Sequence, residues 1–277
     1  MIFHPNEAYW NESILLPLLG KLTGASKSLV GYKVLCAVIS ILILPSLAIL
    51  SLNYFTRITY SYLFLILFSV SFRYLWTYDL GHPDPLTILL LCAIPLVRSH
   101  LAILICVFFA ALSHFSMALI AIIELIILYS LFSPSKSVKN WMMPAILLAG
   151  LCAGRIFLAI WYSIFHYTSP LGRVEFILNS GLPFFYKRYL ENPAGFWLTP
   201  GALFLIIHAA MLCFFIAKKY WGLAAGLMAA LAMSYAALFI TVDGLRVFAV
   251  VCCGSYVFLL TRTIDSWWPA TNPATKK

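Results

Sequence analysis

Charge is what this sequence has least of. Among 277 residues there are 18 Lys and Arg and 9 Asp and Glu, together 10% of the chain. A water-soluble domain carries about a quarter charged residues to cover its surface. That shortage excludes a soluble enzyme, a disordered chain and a single-anchor ectodomain. Short catalytic signatures are missing as well: there is no phosphate-binding P-loop, no G-x-S-x-G and no H-E-x-x-H. No Cys-x-x-Cys occurs, and the seven cysteines (36, 92, 106, 152, 213, 252 and 253) all lie in apolar runs. They read as small packing residues, not as a disulfide framework or a metal site. Neither a cleavable leader nor an internal repeat is visible.

What the sequence has is apolar length. Hydrophobic residues make up 63% and mean hydropathy is +0.97. Such a chain needs lipid as its solvent, and its unbroken runs suit helices, not the alternating strands of a barrel. The runs lie at about 28–53, 58–76, 85–97, 101–132, 141–162, 197–217, 221–241 and 247–261. The 101–132 run is too long for one crossing and contains Ser113-His114, so it is read as two short helices. The expected fold is an all-α polytopic bundle of eight or nine membrane segments. It forms a single transmembrane domain over 1–277, with an outer N-terminal segment at about 1–27 and a long outer loop at about 163–196. Trp76, Trp141, Trp161, Trp197, Trp221, Trp267 and Trp268 fall near segment ends, where an amphipathic indole prefers the headgroups.

The formal charge of +9 does not indicate nucleic acid, because the basic residues are scattered singly and in pairs. They set orientation instead. With 101–132 as a helical hairpin, Arg57, Arg98, Lys136, Lys139, Lys218, Lys219, Arg262, Lys276 and Lys277 share the cytoplasmic side. Glu7, Glu12, Asp79, Asp84, Glu175, Glu191 and Asp243 then face outward. This arrangement also leads one to expect a helix upstream of residue 1. A multi-pass protein of the bacterial inner membrane is the expected setting, with membrane lipids as partners and no nucleic acid.

Ionisable residues near membrane depth are costly and are functional candidates by default. Arg73 to Pro85 gathers Asp79, His82 and Asp84 among helix breakers. Asp79 and Asp84 are candidates for a general base or for hard-oxygen ligation of a divalent cation. Asp84 also fits a plain helix cap before Pro85. Asp243-Gly244-Leu245-Arg246 places an acid and a base around a turn, and Arg246 suits either a lipid phosphate or a local ion pair. His114 between Ser113 and Ser116 suits a phosphate or a sugar hydroxyl, or a backbone-satisfied histidine. In the long loop, Lys187 and Arg188 are interleaved with Phe184, Phe185, Tyr186 and Tyr189, a mixture suited to a helix lying in the interface. Arg155 and Glu124 fall inside runs and are expected to pair; His208 reads as inert.

His4-Pro5 followed by Leu16-Pro17-Leu18-Leu19-Gly20 resembles the first outer loop of GT-C type membrane glycosyltransferases. Asp84-Pro85 at the head of a run with a basic turn at Arg98, and the late Asp243-Gly244-Leu245-Arg246-Val247, resemble further elements of that family. The resemblance implies sugar transfer from a polyprenyl-phosphate-linked donor to a cell-surface glycan or lipid-linked acceptor at the outer face. It also implies an acid in the first outer loop as base; Glu7 or Glu12 stands there, and the family's usual aspartate is missing. Leu112-Ser113-His114-Phe115-Ser116 is similar to the histidine-serine element of O-antigen and exopolysaccharide polymerases. The expected catalytic residues are thus Asp79, Asp84 and Glu7. The expected phosphate or substrate ligands are His82, His114, Lys187, Arg188, Asp243 and Arg246. No cofactor is certain, a divalent cation being the candidate. The rivals are a polymerase leaning on Arg173, Arg188 and Arg246, and a transporter or flippase using Arg155, Glu124 and His208.

Overall fold

The computed structural model describes residues 13–51, 82–132, 141–165, 175, 177–241 and 244–267. Among them every regular element is helical. Three helical stretches are long and apolar enough to cross a membrane: Met142–Ile164, Trp221–Ile240 and Gly244–Arg262. Five shorter apolar stretches accompany them: Leu29–Leu42, Asp84–Leu96, His100–Ser113, Phe115–Leu131 and Ala202–Ala217. Of the expected eight or nine segments, the one at 58–76 lies outside the described residues.

The elements follow the breakers in the sequence. Helix α1 (Leu15–Leu22) ends before Gly24, and α2 spans Leu29–Ser51. Helix α3 (Asp84–Ala93) carries Pro85 as its second residue, where a fixed φ and missing N–H suit the first turn, and runs into a tighter turn, Ile94–Leu96. Ser99 caps α4 (His100–Ser113) by accepting from the Ala102 amide. His114 is extended, and the chain turns into α5 (Phe115–Leu131). Helix α6 is Met142–Ile164. A wide helical stretch follows, here α7: π turns at Ile177–Gly181 and Tyr186–Leu190 flank Leu182–Phe185. Then come α8 (Pro193–Trp197), α9 (Ala202–Ala217), α10 (Trp221–Ala236, tightening over Ala237–Ile240) and α11 (Gly244–Trp267). The run expected to begin at 197 starts instead at Ala202, because Pro200 and a left-handed Gly201 (φ 87°) break the helix there.

Contacts fix the directions. Asp84 meets Arg246 and Leu91 lies beside Gly254, so α3 and α11 run parallel. Leu125 beside Gly254 and Tyr129 against Phe258 make α5 parallel to them, and Phe204 against Phe248 adds α9. Ser113 at the end of α4 bonds Thr87 at the start of α3, so α4 runs the other way. Helices α4 and α5 are therefore an antiparallel hairpin with His114 at its tip. Helix α6 follows α4: Gly150 abuts Val107 and Gly154 abuts Ala111, a close approach that small residues permit between membrane helices. Helix α10, with Gly226 against Phe132 and Tyr235 against Phe248, is antiparallel to α11.

Helix α11 is the axis, buried at every position from Val247 to Thr261, with Phe248, Val251, Tyr256 and Leu259 in the core. The outer wall is apolar too. Leu101, Ile105 and Phe109 form an exposed ridge on α4, and Ile156, Ile160 and Ile164 form another on α6. Exposed apolar ridges of this length match lipid, not water. Trp141 and Trp221 stand exposed at one end of the bundle and Trp197 at the other.

Candidate functional site

The directions above bring the heads of α3 and α11, the tip of the α4–α5 hairpin and the stretch 177–201 to one end of the bundle. His82, Asp84 and Arg246 meet there. Arg246 Nη1 lies 3.3 Å from Asp84 Oδ2, with the two side chains 6% and 0% exposed. The same guanidinium nitrogen is in hydrogen-bond contact with His82 Nδ1. His82 is only partly buried. Asp84 is the first residue of α3, one position inside the helix from the expected cap, and its carboxylate reaches the arginine.

The floor beneath this pair is polar and ordered. Thr87 Oγ1 donates to Ser113 Oγ (2.9 Å), and Ser113 Oγ donates to the Pro83 carbonyl (3.1 Å). Both hydroxyls are fully buried. They tie the hairpin tip to the turn that carries His82 and Asp84. His114, 1% exposed, is the next residue in that tip. Thr87 went unnoticed in the sequence. Its signal was its place one helical turn after Asp84, on the same face of an otherwise apolar helix.

Lys187 and Arg188 lie on α7 at this end, both exposed. The Arg188 guanidinium sits over the Phe184 and Tyr189 rings at 5.4 and 5.6 Å. Helix α7 is held by Phe185 stacked on Phe239 (4.0 Å between centroids), and α8 by Phe196 against Tyr235 (5.1 Å). Tyr235 also donates to the Trp197 carbonyl at 2.7 Å. The long outer loop of the sequence reading is thus largely helical over 177–197. Glu7, Asp79, Asp243 and Arg173 lie outside the described residues.

At the opposite end stand Arg98, Lys218, Lys219 and Arg262, the last over the Phe258 ring at 5.2 Å. Basic charge is not confined to that end. The Ile14 amide donates to the Leu112 carbonyl, which puts the start of α1 at the site end, and Lys21 and Lys27 follow it.

The expected Glu124–Arg155 pair does not form. Arg155 is exposed on α6 over the Phe115 ring at 5.1 Å. Glu124 is buried on the α5 face toward α11, beside Ser255. His208 hydrogen-bonds the Tyr256 hydroxyl. Arg155 thus stands on the outer surface of α6, apart from buried Glu124 and His208. Among the described residues, no three His, Cys, Asp or Glu side chains gather as a metal site. Asp84 faces the Arg246 guanidinium through Oδ2.

No protein-family model, no curated protein and no solved structure matches this chain.

Proposed function

We propose that this chain is a multi-pass glycosyltransferase of a bacterial inner membrane, GT-C-like in plan, with eight or nine membrane segments. It would transfer a sugar from a polyprenyl-phosphate-linked donor to a cell-surface glycan or lipid-linked acceptor at the outer face. The observation that carries the reading is the Arg246 guanidinium, held by buried Asp84 and bordered by His82 at one mouth of a lipid-compatible bundle. A guanidinium matches phosphate oxygens two at a time, and a fixed carboxylate behind it sets its direction. In the transfer, the acceptor oxygen attacks the anomeric carbon and the bond from that carbon to the phosphate oxygen breaks. The polyprenyl phosphate leaves with the electron pair. Arg246 and His82 stabilise the charge developing on that phosphate, and a carboxylate takes the acceptor proton.

Burial gives Asp84 the task of holding Arg246. The base is then sought at Asp79 or Glu7. The same burial favours one second reading, a polymerase of lipid-linked repeat units, in which arginines lead and no carboxylate takes the proton. Both readings are tested by mass spectrometry of lipid-linked saccharides in cells lacking the protein and complemented with variants. Wild type is expected to clear an accumulated polyprenyl-phosphate-linked sugar, and Arg246→Lys to leave it. Asp79→Asn combined with Glu7→Gln separates the two readings, since only the carboxylate mechanism needs one of those acids. Clearance by Arg246→Lys at the wild-type rate would remove the reading.

A further inference from the structure

Tyr189 presents a chemical anomaly next to this cluster. Its ring is fixed by packing, with centroids 5.3 Å from both Phe185 and Phe196, and the residue is 2% exposed. Its hydroxyl has no hydrogen-bond partner among the described residues. Buried hydroxyls are nearly always paired, because leaving one unpaired is costly. A phenylalanine would fill the same space without that cost. The hydroxyl imposes a second restriction as well: it lies against Gly244, where any Cβ would collide with it. Two positions are thus committed to one oxygen that bonds nothing among the described residues.

That oxygen points at the first residue of α11, a 24-residue helix whose third residue is Arg246. First-turn amides lack acceptors within their own helix, and the helix dipole favours an anion there. We propose that the Tyr189 hydroxyl, the first turn of α11 and the Arg246 guanidinium form one seat for a phosphate group, with Tyr189 as a positioning hydrogen-bond donor. The inference rests on the proposed function's assignment of Arg246 and adds the residue that orients the phosphate. It also ties α7 to the site: an anion held by Tyr189 and α11 clamps 177–190 onto the bundle.

The test uses the full chain in detergent and measures binding of farnesyl phosphate by calorimetry. Inorganic phosphate and phosphatidylglycerol nanodiscs are run as separate arms. Wild type is expected to bind farnesyl phosphate, and Tyr189→Phe to bind it about tenfold more weakly, the loss typical of one charge-assisted hydrogen bond. The unliganded Tyr189→Phe protein is expected to melt no lower than wild type. A merely structural hydroxyl would give the opposite pair, a lower Tm with unchanged affinity, and would overturn the proposal. If inorganic phosphate or phosphatidylglycerol binds with the same Tyr189 dependence, the seat stands and its source is a free phosphate or a bulk headgroup. Equal affinity in Tyr189→Phe, with weakened binding in Arg246→Lys, overturns the role of Tyr189 and leaves the proposed function standing. Absence of binding to every probe by wild type overturns both.

Discussion

Replacing Gly244 by alanine drives a methyl group into the Tyr189 hydroxyl, and the magnitude of the effect can be worked out from its neighbours. A Cβ at 244 would otherwise meet Leu238 Cδ2 and Tyr189 Cζ at 3.4 Å each, ordinary van der Waals distances. The hydroxyl alone is the obstacle. Overpacking of this kind costs about 1–3 kcal/mol. In the Tyr189→Phe background the obstacle is gone, and alanine gains up to about 1 kcal/mol over glycine in a helix. Gly244→Ala is therefore expected to destabilise the wild type and to be neutral or stabilising in Tyr189→Phe. The coupling between the two changes should be about 1–3 kcal/mol, the size expected for residues in direct contact. Unfolding by SDS in mixed micelles, followed by tryptophan fluorescence, measures all four proteins. Equal effects of Gly244→Ala in both backgrounds would refute the geometry on which the phosphate seat is built.

Three further outcomes are expected. Asp84→Ala strands a buried guanidinium and should cost about 3–5 kcal/mol in the same unfolding assay, well beyond what loss of a surface pair costs; a loss under about 1 kcal/mol would mean the pair is solvated. Gly154→Ala puts a Cβ 2.5 Å from Ala111 Cβ and should cost about 1–3 kcal/mol by forcing α4 and α6 apart, with no change in phosphate affinity. Ser113→Ala and Thr87→Ala should each cost about 1 kcal/mol, and the double variant less than their sum, since both remove the same chain of bonds.

The helices were readable because lipid demands long apolar runs and because breakers end them. The Ser113-His114 break, Pro85 at the head of α3 and the Trp positions at segment ends all carried local signals. The start of α9 was misread because Pro200 and Gly201 are embedded in apolar sequence, and hydropathy alone runs through them. The Glu124–Arg155 pairing was misread for a different reason. Hydropathy gives depth but not rotation about the helix axis, and Arg155 follows Gly154, whose face is packed against α4. The site was legible only in pieces. His82 and Arg246 are 164 residues apart, and nothing local says that α3 and α11 run parallel with their heads together. Tyr189 was one aromatic among several in an interfacial stretch. Its distinction, an unpaired hydroxyl against a glycine, exists only once α7 is folded over α11.

Sidedness is the premise beneath the transfer reaction, and it can be measured directly. In a cysteine-free background, Lys187→Cys and Lys218→Cys place single thiols at opposite ends of the bundle. A membrane-impermeant maleimide applied to intact spheroplasts should label the thiol at 187 at once and the thiol at 218 only after permeabilisation. Labelling of 218 in intact spheroplasts, with 187 protected, would put Arg246 on the cytosolic side and contradict a donor phosphate bound at the outer face.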